Sequence, residues 1–107
     1  MKAIRAAELA RWLADPARDR PLLLDVREPW ETDICRLAGA ELMPMRTVPL
    51  ELQRLSPDRP VVCICHHGHR SAHVATFLER QGFTDIYNLT GGVDAWALEV
   101  DPSMPRY

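Results

Sequence analysis

The residues best suited to do chemistry lie in one short stretch, Cys65-His66-His67-Gly68-His69-Arg70-Ser71. The β-branched run Val61-Val62-Cys63-Ile64 precedes it and is typical of a buried strand. An amphipathic pattern starts at Arg70-Ser71 and predicts a helix, whose buried face carries Ser71, Val74, Ala75 and Leu78. The stretch is therefore expected to be a tight loop between a strand and a helix.

A strand, a tight loop and a helix aim backbone N–H groups and the positive end of a helix dipole at one point. Cys65 opens the loop and is placed at that point, with Arg70 nearby. Amide groups and a guanidinium both stabilise a thiolate, and the thiolate is the reactive form of cysteine. We predict that Cys65 is a nucleophile.

The three cysteines also have structural interpretations. A free cysteine is often a buried hydrophobic residue, but the polar loop after Cys65 argues against that role for it. Cys63 lies within the strand and is favoured as a small hydrophobic residue over a resolving thiol. We assign no role to Cys35.

The histidines of the loop could instead be metal ligands together with the cysteines. The loop is too tight for His66, His67 and His69 all to converge, and no second ligand cluster exists elsewhere in the sequence. We expect these histidines to tune the charge around the thiolate, and His73 to face solvent from the helix. No metal site is predicted.

Arg70 can hold an anion bidentately near the nucleophile, or it can form an ion pair with Asp25 or Glu31, and both can hold at once. We interpret Asp25, Arg27 and Glu31 as an ion-paired structural support beneath the loop. Gly68 is expected to supply a backbone conformation that other residues rarely adopt.

Composition limits the function classes. A chain of 107 residues with 47% apolar and 26% charged residues is expected to form one soluble domain over residues 1–107. The formal net charge of −2 provides neither a basic face for nucleic acid nor a polybasic patch for membranes.

The cysteine count and the start of the chain bear on the compartment. Three cysteines are an odd number and do not make a disulfide framework. The polar stretch after Met1 leads us to expect no signal peptide, and no apolar run approaches the length of a membrane span. We expect a cytoplasmic protein.

The rest of the chain alternates strand and helix patterns over short connections, which predicts an α/β domain with a mostly parallel sheet. In such sheets ligands bind beyond the carboxyl ends of the strands, where Cys65 falls. Strands are expected at 22–26, 40–43, 61–64 and 86–89, and helices at 6–14, 48–55, 70–82 and 91–96, with a helical turn at 28–31.

Several motifs in order along the chain resemble those of single-domain rhodaneses, which are sulfurtransferases. They are Leu22-Leu23-Leu24-Asp25-Val26-Arg27-Glu28, Ala38-Gly39-Ala40 with Met43-Pro44, Cys65-x-x-Gly68-x-Arg70-Ser71, Gln81-Gly82-Phe83 and Leu89-x-Gly91-Gly92-x-x-Ala95-Trp96. The resemblance implies a three-layer α/β/α fold whose five-stranded sheet carries helices on both faces.

The resemblance also implies sulfur transfer by double displacement. Cys65 would take the outer sulfur of a small anionic donor such as thiosulfate and hold it as a persulfide. The substrate-binding residues would be His66, His67, Gly68, His69, Arg70 and Ser71. A thiophilic acceptor (cyanide, a thiol or a partner protein) would remove the sulfur, and no metal or organic cofactor is expected.

Two alternatives remain open. One is a related cysteine-loop phosphatase or arsenate reductase, but four residues separate Cys65 from Arg70 here, whereas those relatives carry five. A shorter loop suits one sulfur atom better than a phosphoryl group with three equatorial oxygens. The other is a non-enzymatic rhodanese-like interaction module, which is disfavoured because this chain keeps its cysteine.

Overall fold

Five parallel strands form the centre of the protein, whose computed structural model describes all 107 residues. The strands are paired in the order β1-β5-β4-β2-β3. They are β1 Lys2–Ile4, β2 Leu22–Asp25, β3 Glu41–Leu42, β4 Val61–Ile64 and β5 Ile86–Leu89. The helices are α1 Ala6–Ala14, α2 Pro29–Ile34, α3 His69–Arg80 and α4 Gly92–Glu99. The predicted α/β class is confirmed.

Both faces of the sheet are covered, as the alternation along β4 shows. Val61 and Cys63 belong to one apolar cluster with Val74 and Leu78 of α3. Val62 and Ile64 point to the opposite face, into a second cluster that includes residues of α1 and α4. Because side chains alternate along a strand, a strand with helices on both sides is apolar throughout. These two clusters make the three layers that the resemblance implied.

The strand β1 was not predicted from the sequence. It lies at the edge of the sheet beside β5, and of its three residues only Ile4 is buried. A three-residue edge strand with one inward side chain has no alternation long enough to recognise.

The helix predicted over 48–55 is wrong. Two 3₁₀ segments, Met45–Leu50 and Leu52–Arg54, occupy this region. Pro49 lacks an N–H and cannot continue an α-helical ladder, and the chain leaves helical geometry at Glu51, where φ is −125°. Val48 and Leu55 are nevertheless buried, so the apolar spacing correctly indicated burial.

Helix α3 begins at His69, one residue before the predicted start, and buries the four predicted residues Ser71, Val74, Ala75 and Leu78. Its end has the form of a Schellman motif. Gly82 has a φ of +95°, and the N–H groups of Gly82 and Phe83 donate to Glu79 and Leu78, each at 3.1 Å.

Helix α4 runs to Glu99, beyond the predicted Trp96. None of the helices is long and apolar enough to span a membrane.

Candidate active site

The loop between β4 and α3 surrounds the sulfur of Cys65. The N–H of Gly68 donates to Cys65 Sγ at 3.1 Å, and the Ser71 hydroxyl oxygen lies 3.2 Å from the same atom. Cys65 is only 1% exposed, so a substrate has to meet the sulfur at the mouth of the loop. The structure thus places the candidate nucleophile beside one backbone N–H donor and one hydroxyl at the N-terminus of α3.

The start of the loop is held against the N-terminus of α4. The carbonyls of Cys65 and His66 accept from the N–H groups of Val93 at 2.9 Å and Asp94 at 3.2 Å. A Cβ on Gly92 would lie 2.3 Å from the Cys65 carbonyl oxygen. These hydrogen bonds fix the backbone at the start of the loop, and the Gly68 N–H that follows donates to Cys65 Sγ.

Gly68 has the conformation that the sequence predicted. Its φ is +103°, in the left-handed region that favours glycine, and it precedes the first residue of α3. The space is also tight, since a Cβ there would lie 3.3 Å from Gly91 N and from Leu89 O. A side chain at position 68 would therefore meet both strain and crowding.

Arg70 is engaged by Glu31 of α2 through two hydrogen bonds, both 2.7 Å long. Of the two partners considered from the sequence, Glu31 and not Asp25 is the one observed. The hydrogen bonds from Arg70 lower the pKa of Glu31 to about 2, although its burial works in the opposite direction. The same hydrogen bonds raise the pKa of Arg70. The guanidinium is thus largely neutralised by a permanent carboxylate.

Asp25 and Arg27 form a second ion pair beneath the loop, and both are buried. Arg27 Nη2 donates to Asp25 Oδ2 and to the Cys35 carbonyl, each at 2.7 Å. Burial disfavours the charge on Arg27, but its hydrogen bonds to Asp25 and Tyr107 and the Asp25 charge outweigh it and raise its pKa. The pair ties β2 to the chain after α2. Glu31, the third residue of the predicted support, pairs with Arg70 instead.

The three histidines of the loop differ in their surroundings. His66 is half-buried and stacked between His67 and Tyr107, with ring centroids 3.9 and 3.8 Å away. Burial and the neighbouring His67 lower the pKa of His66, whose buried Nε2 has no hydrogen-bond partner. His67 and His69 are exposed. For His66 the structure thus indicates the opposite of the charge-adding role we expected.

The other cysteines are buried in the two apolar clusters. Burial, followed by the neighbouring Cys65, raises the pKa of Cys63 to about 12, as expected for a residue of the core. Cys35 belongs to the second cluster, and its sulfur lies 3.8 Å from Arg27 Nη1. No group of three or more His, Cys, Asp or Glu side chains is arranged to hold a metal ion.

Two residues at the site were missed by sequence reasoning. Asn88 of β5 joins Ser71 to Gly68 by hydrogen bonds. A buried asparagine within an apolar strand was a usable signal, because buried amides require partners. The hydroxyl of Tyr107 accepts from Arg27 at 3.0 Å and donates to Glu31 at 2.8 Å. Nothing in the local pattern marks Tyr107.

The protein is a parallel α/β domain that carries a cysteine loop at the carboxyl end of its central strand, β4, and this places it in the class of cysteine-loop domains. The Rhodanese-like domain family matches residues 5–99, so this chain belongs to the rhodanese-like family.

Among the proteins similar to this chain are two curated relatives and one solved structure. It is 40% identical to the Rhodanese-like/PpiC domain-containing protein 12 of Arabidopsis thaliana, over all of this chain and 38% of that protein. The chain thus spans less than half of that relative. It is 35% identical to a sulfurtransferase of Allochromatium vinosum, over 88% of this chain and 86% of that one. A rhodanese-like domain protein from Staphylococcus aureus superposes with a TM-score of 0.84 at 32% identity, covering 100% of this chain and 99% of that chain.

Proposed function

We propose that this protein is a sulfurtransferase that carries sulfane sulfur on Cys65. The Cys65 thiolate attacks the outer sulfur of thiosulfate, the S–S bond of the donor breaks, and sulfite leaves with the bonding electrons. The enzyme then holds a Cys65 persulfide. A thiophilic acceptor attacks the outer sulfur and regenerates the thiolate, and with cyanide the product is thiocyanate.

The observation that carries the proposal is the hydrogen bond from the Gly68 N–H to Cys65 Sγ at 3.1 Å. A backbone N–H aimed at sulfur stabilises the negative charge of a thiolate, and inward N–H groups of the same loop can stabilise the anionic outer sulfur of a persulfide. The Allochromatium vinosum relative, named a sulfurtransferase, supports the same class of reaction.

The loop residues have distinct proposed roles toward the donor. Arg70 keeps N–H groups beyond the two that Glu31 accepts, and these orient the anionic end of thiosulfate. His67 and His69 are exposed and line the approach, whereas His66 shapes the loop through its stacked ring. We propose that a thiol or a partner protein takes the sulfur in the cell, and that no cofactor takes part.

Intact-protein mass spectrometry after incubation with thiosulfate tests the proposal. We expect a gain of about 32 Da, one sulfur atom, that maps to Cys65 by peptide analysis and disappears on adding cyanide. Cys65→Ser should abolish both the adduct and thiocyanate formation.

The other two cysteines provide matched controls. Cys63→Ser and Cys35→Ser should keep most of the adduct and most of the turnover, because both thiols are buried in apolar clusters. If Cys63→Ser abolished turnover as completely as Cys65→Ser in a folded protein, the mechanism would need two thiols and our assignment would be wrong.

A further inference from the structure

The Ser71 hydroxyl lies between two atoms that can accept its proton. Its oxygen is 2.5 Å from Asn88 Oδ1 and 3.2 Å from Cys65 Sγ, and Ser71 is fully buried. A hydroxyl has one proton to donate, so it can serve only one of the two acceptors at a time. Asn88 and a Cys65 thiolate therefore compete for the same hydrogen.

The orientation of Asn88 decides which atom faces Ser71. Its Nδ2 lies 3.1 Å from the carbonyl oxygen of Gly68, which can only accept a hydrogen bond. The amide nitrogen therefore faces Gly68 and the amide oxygen faces Ser71. Since Oδ1 cannot donate, the short contact requires that the Ser71 proton points to Asn88.

The sheet holds Asn88 in this position. Strand β5 lies between β1 and β4, and Asn88 is in register with Cys63. Residues in register on parallel strands share a face, so the Asn88 side chain lies on the face covered by α3. Asn88 is 9% exposed, and few water molecules can replace its hydrogen bonds.

We propose that Asn88 is a positioning residue that controls whether Ser71 stabilises the Cys65 thiolate. While Ser71 donates to Asn88, only the lone pairs of the Ser71 oxygen face Cys65. They can accept a hydrogen bond from a Cys65 thiol, but they cannot donate one to a Cys65 thiolate. To serve a thiolate, the hydroxyl must rotate and leave Asn88 Oδ1 buried without a partner, which is costly. This inference rests on the proposed role of Cys65 as the nucleophile.

The same competition favours the sulfur-loaded state over the unloaded thiolate. In a persulfide the negative charge lies on the outer sulfur, and Sγ is bonded to carbon and to that sulfur. Sγ then needs no donor from Ser71, so the hydroxyl returns to Asn88 and both are satisfied. Asn88 thus makes the free thiolate relatively less stable and the persulfide relatively more stable.

Asn88 is uncharged, so its substitution leaves the charges around Cys65 unchanged. In α3, Arg70 remains paired with Glu31 of α2, and in α4, Asp94 remains paired with Arg106. The other titratable groups around the loop are Cys63, His66, His67, His69 and Tyr107, with the buried Asp25–Arg27 pair beneath it. A change in the behaviour of Cys65 can then be attributed to the hydrogen bond of Ser71.

Alkylation by iodoacetamide, measured against pH on the Cys65 peptide by mass spectrometry, tests the proposal. We expect Asn88→Ala to lower the pH midpoint of labelling by about one unit, a roughly tenfold gain in reaction rate on the acid side. The freed Ser71 hydroxyl then donates to the thiolate at no cost. Asn88→Leu fills the same space but has no oxygen to accept the Ser71 proton, so it should give the same shift. It can be measured in place of Asn88→Ala if that variant does not fold.

The Ser71→Ala background distinguishes this role from a merely structural one. In this background, adding Asn88→Ala should not change the pH midpoint of labelling any further. The hydroxyl proton for which Asn88 and Cys65 compete is absent from Ser71→Ala. An equal shift in both backgrounds, or no shift in the wild-type background, would overturn the proposal. Labelling requires no sulfur donor, so a failure of sulfur transfer would be seen separately, in the thiosulfate adduct.

Discussion

Glu31 and Arg70 lie 39 positions apart in the chain and meet in a two-point ion pair, with both N–O distances 2.7 Å. Glu31 is 3% exposed and also accepts from the Glu28 N–H at 2.8 Å and from the Tyr107 hydroxyl. The carboxylate thus joins α2 to the cysteine loop and limits the positive charge that Arg70 can offer a donor.

The Glu31–Arg70 pair should make the protein less stable in acid. The pKa of Glu31 is lowered from 4.5 to about 2 in the folded state, so its stabilisation is complete above pH 4.5 and lost as the pH falls toward 2. A shift of this size corresponds to ~3 kcal/mol, but solvent screens the partly exposed Arg70, so the pair contributes about 2 kcal/mol. In Glu31→Gln, urea unfolding at pH 6, 4 and 3 should show a weaker loss of stability with acidification.

Glu28→Gln is the matched control for this prediction. Glu28 pairs with Arg46 at the surface, where the Arg46 side chain is 65% exposed and the Glu28 side chain 38% exposed. Its substitution should leave the pH dependence of unfolding close to that of the wild type. Parallel acid profiles for Glu31→Gln and Glu28→Gln would show that the Glu31 pair contributes no more than a surface contact.

Gly92→Ala should be strongly destabilising, because a Cβ there would collide with the carbonyls of Cys65 and His66 at 2.3 and 2.4 Å. Gly82→Ala is the control, since Gly82 also has a positive φ but no atom within 4 Å of an added Cβ. We expect a loss of about 1 kcal/mol at Gly82 from strain alone, and about 3 kcal/mol or more at Gly92. The free energy of urea unfolding measures both, and equal losses would contradict the collision.

The acid side of the pH profile should depend on His67 and His69 rather than on His66. Burial and the neighbouring His67 lower the pKa of His66, so its ring is disfavoured as a source of positive charge, whereas His67 and His69 are exposed. We expect kcat/KM for thiosulfate to rise from pH 8 to pH 6.5 and to fall below that. The double variant His67→Asn/His69→Asn should lose this rise, most clearly at low ionic strength.

His66→Asn is the matched control for the histidine prediction. It should retain the rise in kcat/KM, because the ring that it removes is not the source of positive charge. A wild-type profile that climbs steadily from pH 6.5 to pH 9 would contradict a role for histidine charge in binding the donor.

The loop length predicts negligible phosphatase activity toward aryl phosphates. Four residues separate Cys65 from Arg70, and Glu31 already occupies two donors of the guanidinium. A phosphoryl group requires donors to three equatorial oxygens, which the shorter loop does not offer. Inserting a glycine between His67 and Gly68 should weaken sulfur transfer. Robust aryl phosphate hydrolysis by the unaltered protein, lost in Cys65→Ser, would refute this argument.

The sequence by itself determined the local organisation around Cys65. Three segments are contiguous here: the apolar run of β4, the polar loop and the amphipathic start of α3. The spacing of apolar residues in β4 and α3 indicates which of their side chains are buried. The four buried residues of α3 and the conformation of Gly68 follow from such local signals. Local patterns failed where a proline interrupted the spacing, at 45–54, and where a strand was too short, at β1.

Only the tertiary structure decided which distant side chains meet at the loop. The strand order places β5 and β2 on either side of β4, although β3 lies between β2 and β4 in the chain and α3 lies between β4 and β5. That order brings Asn88 to Ser71 and lets Glu31, rather than Asp25, pair with Arg70. Periodicity reports which side of an element is buried, but not which residue of another element it contacts. The partners of Ser71 and Arg70 therefore became known only once the sheet was assembled.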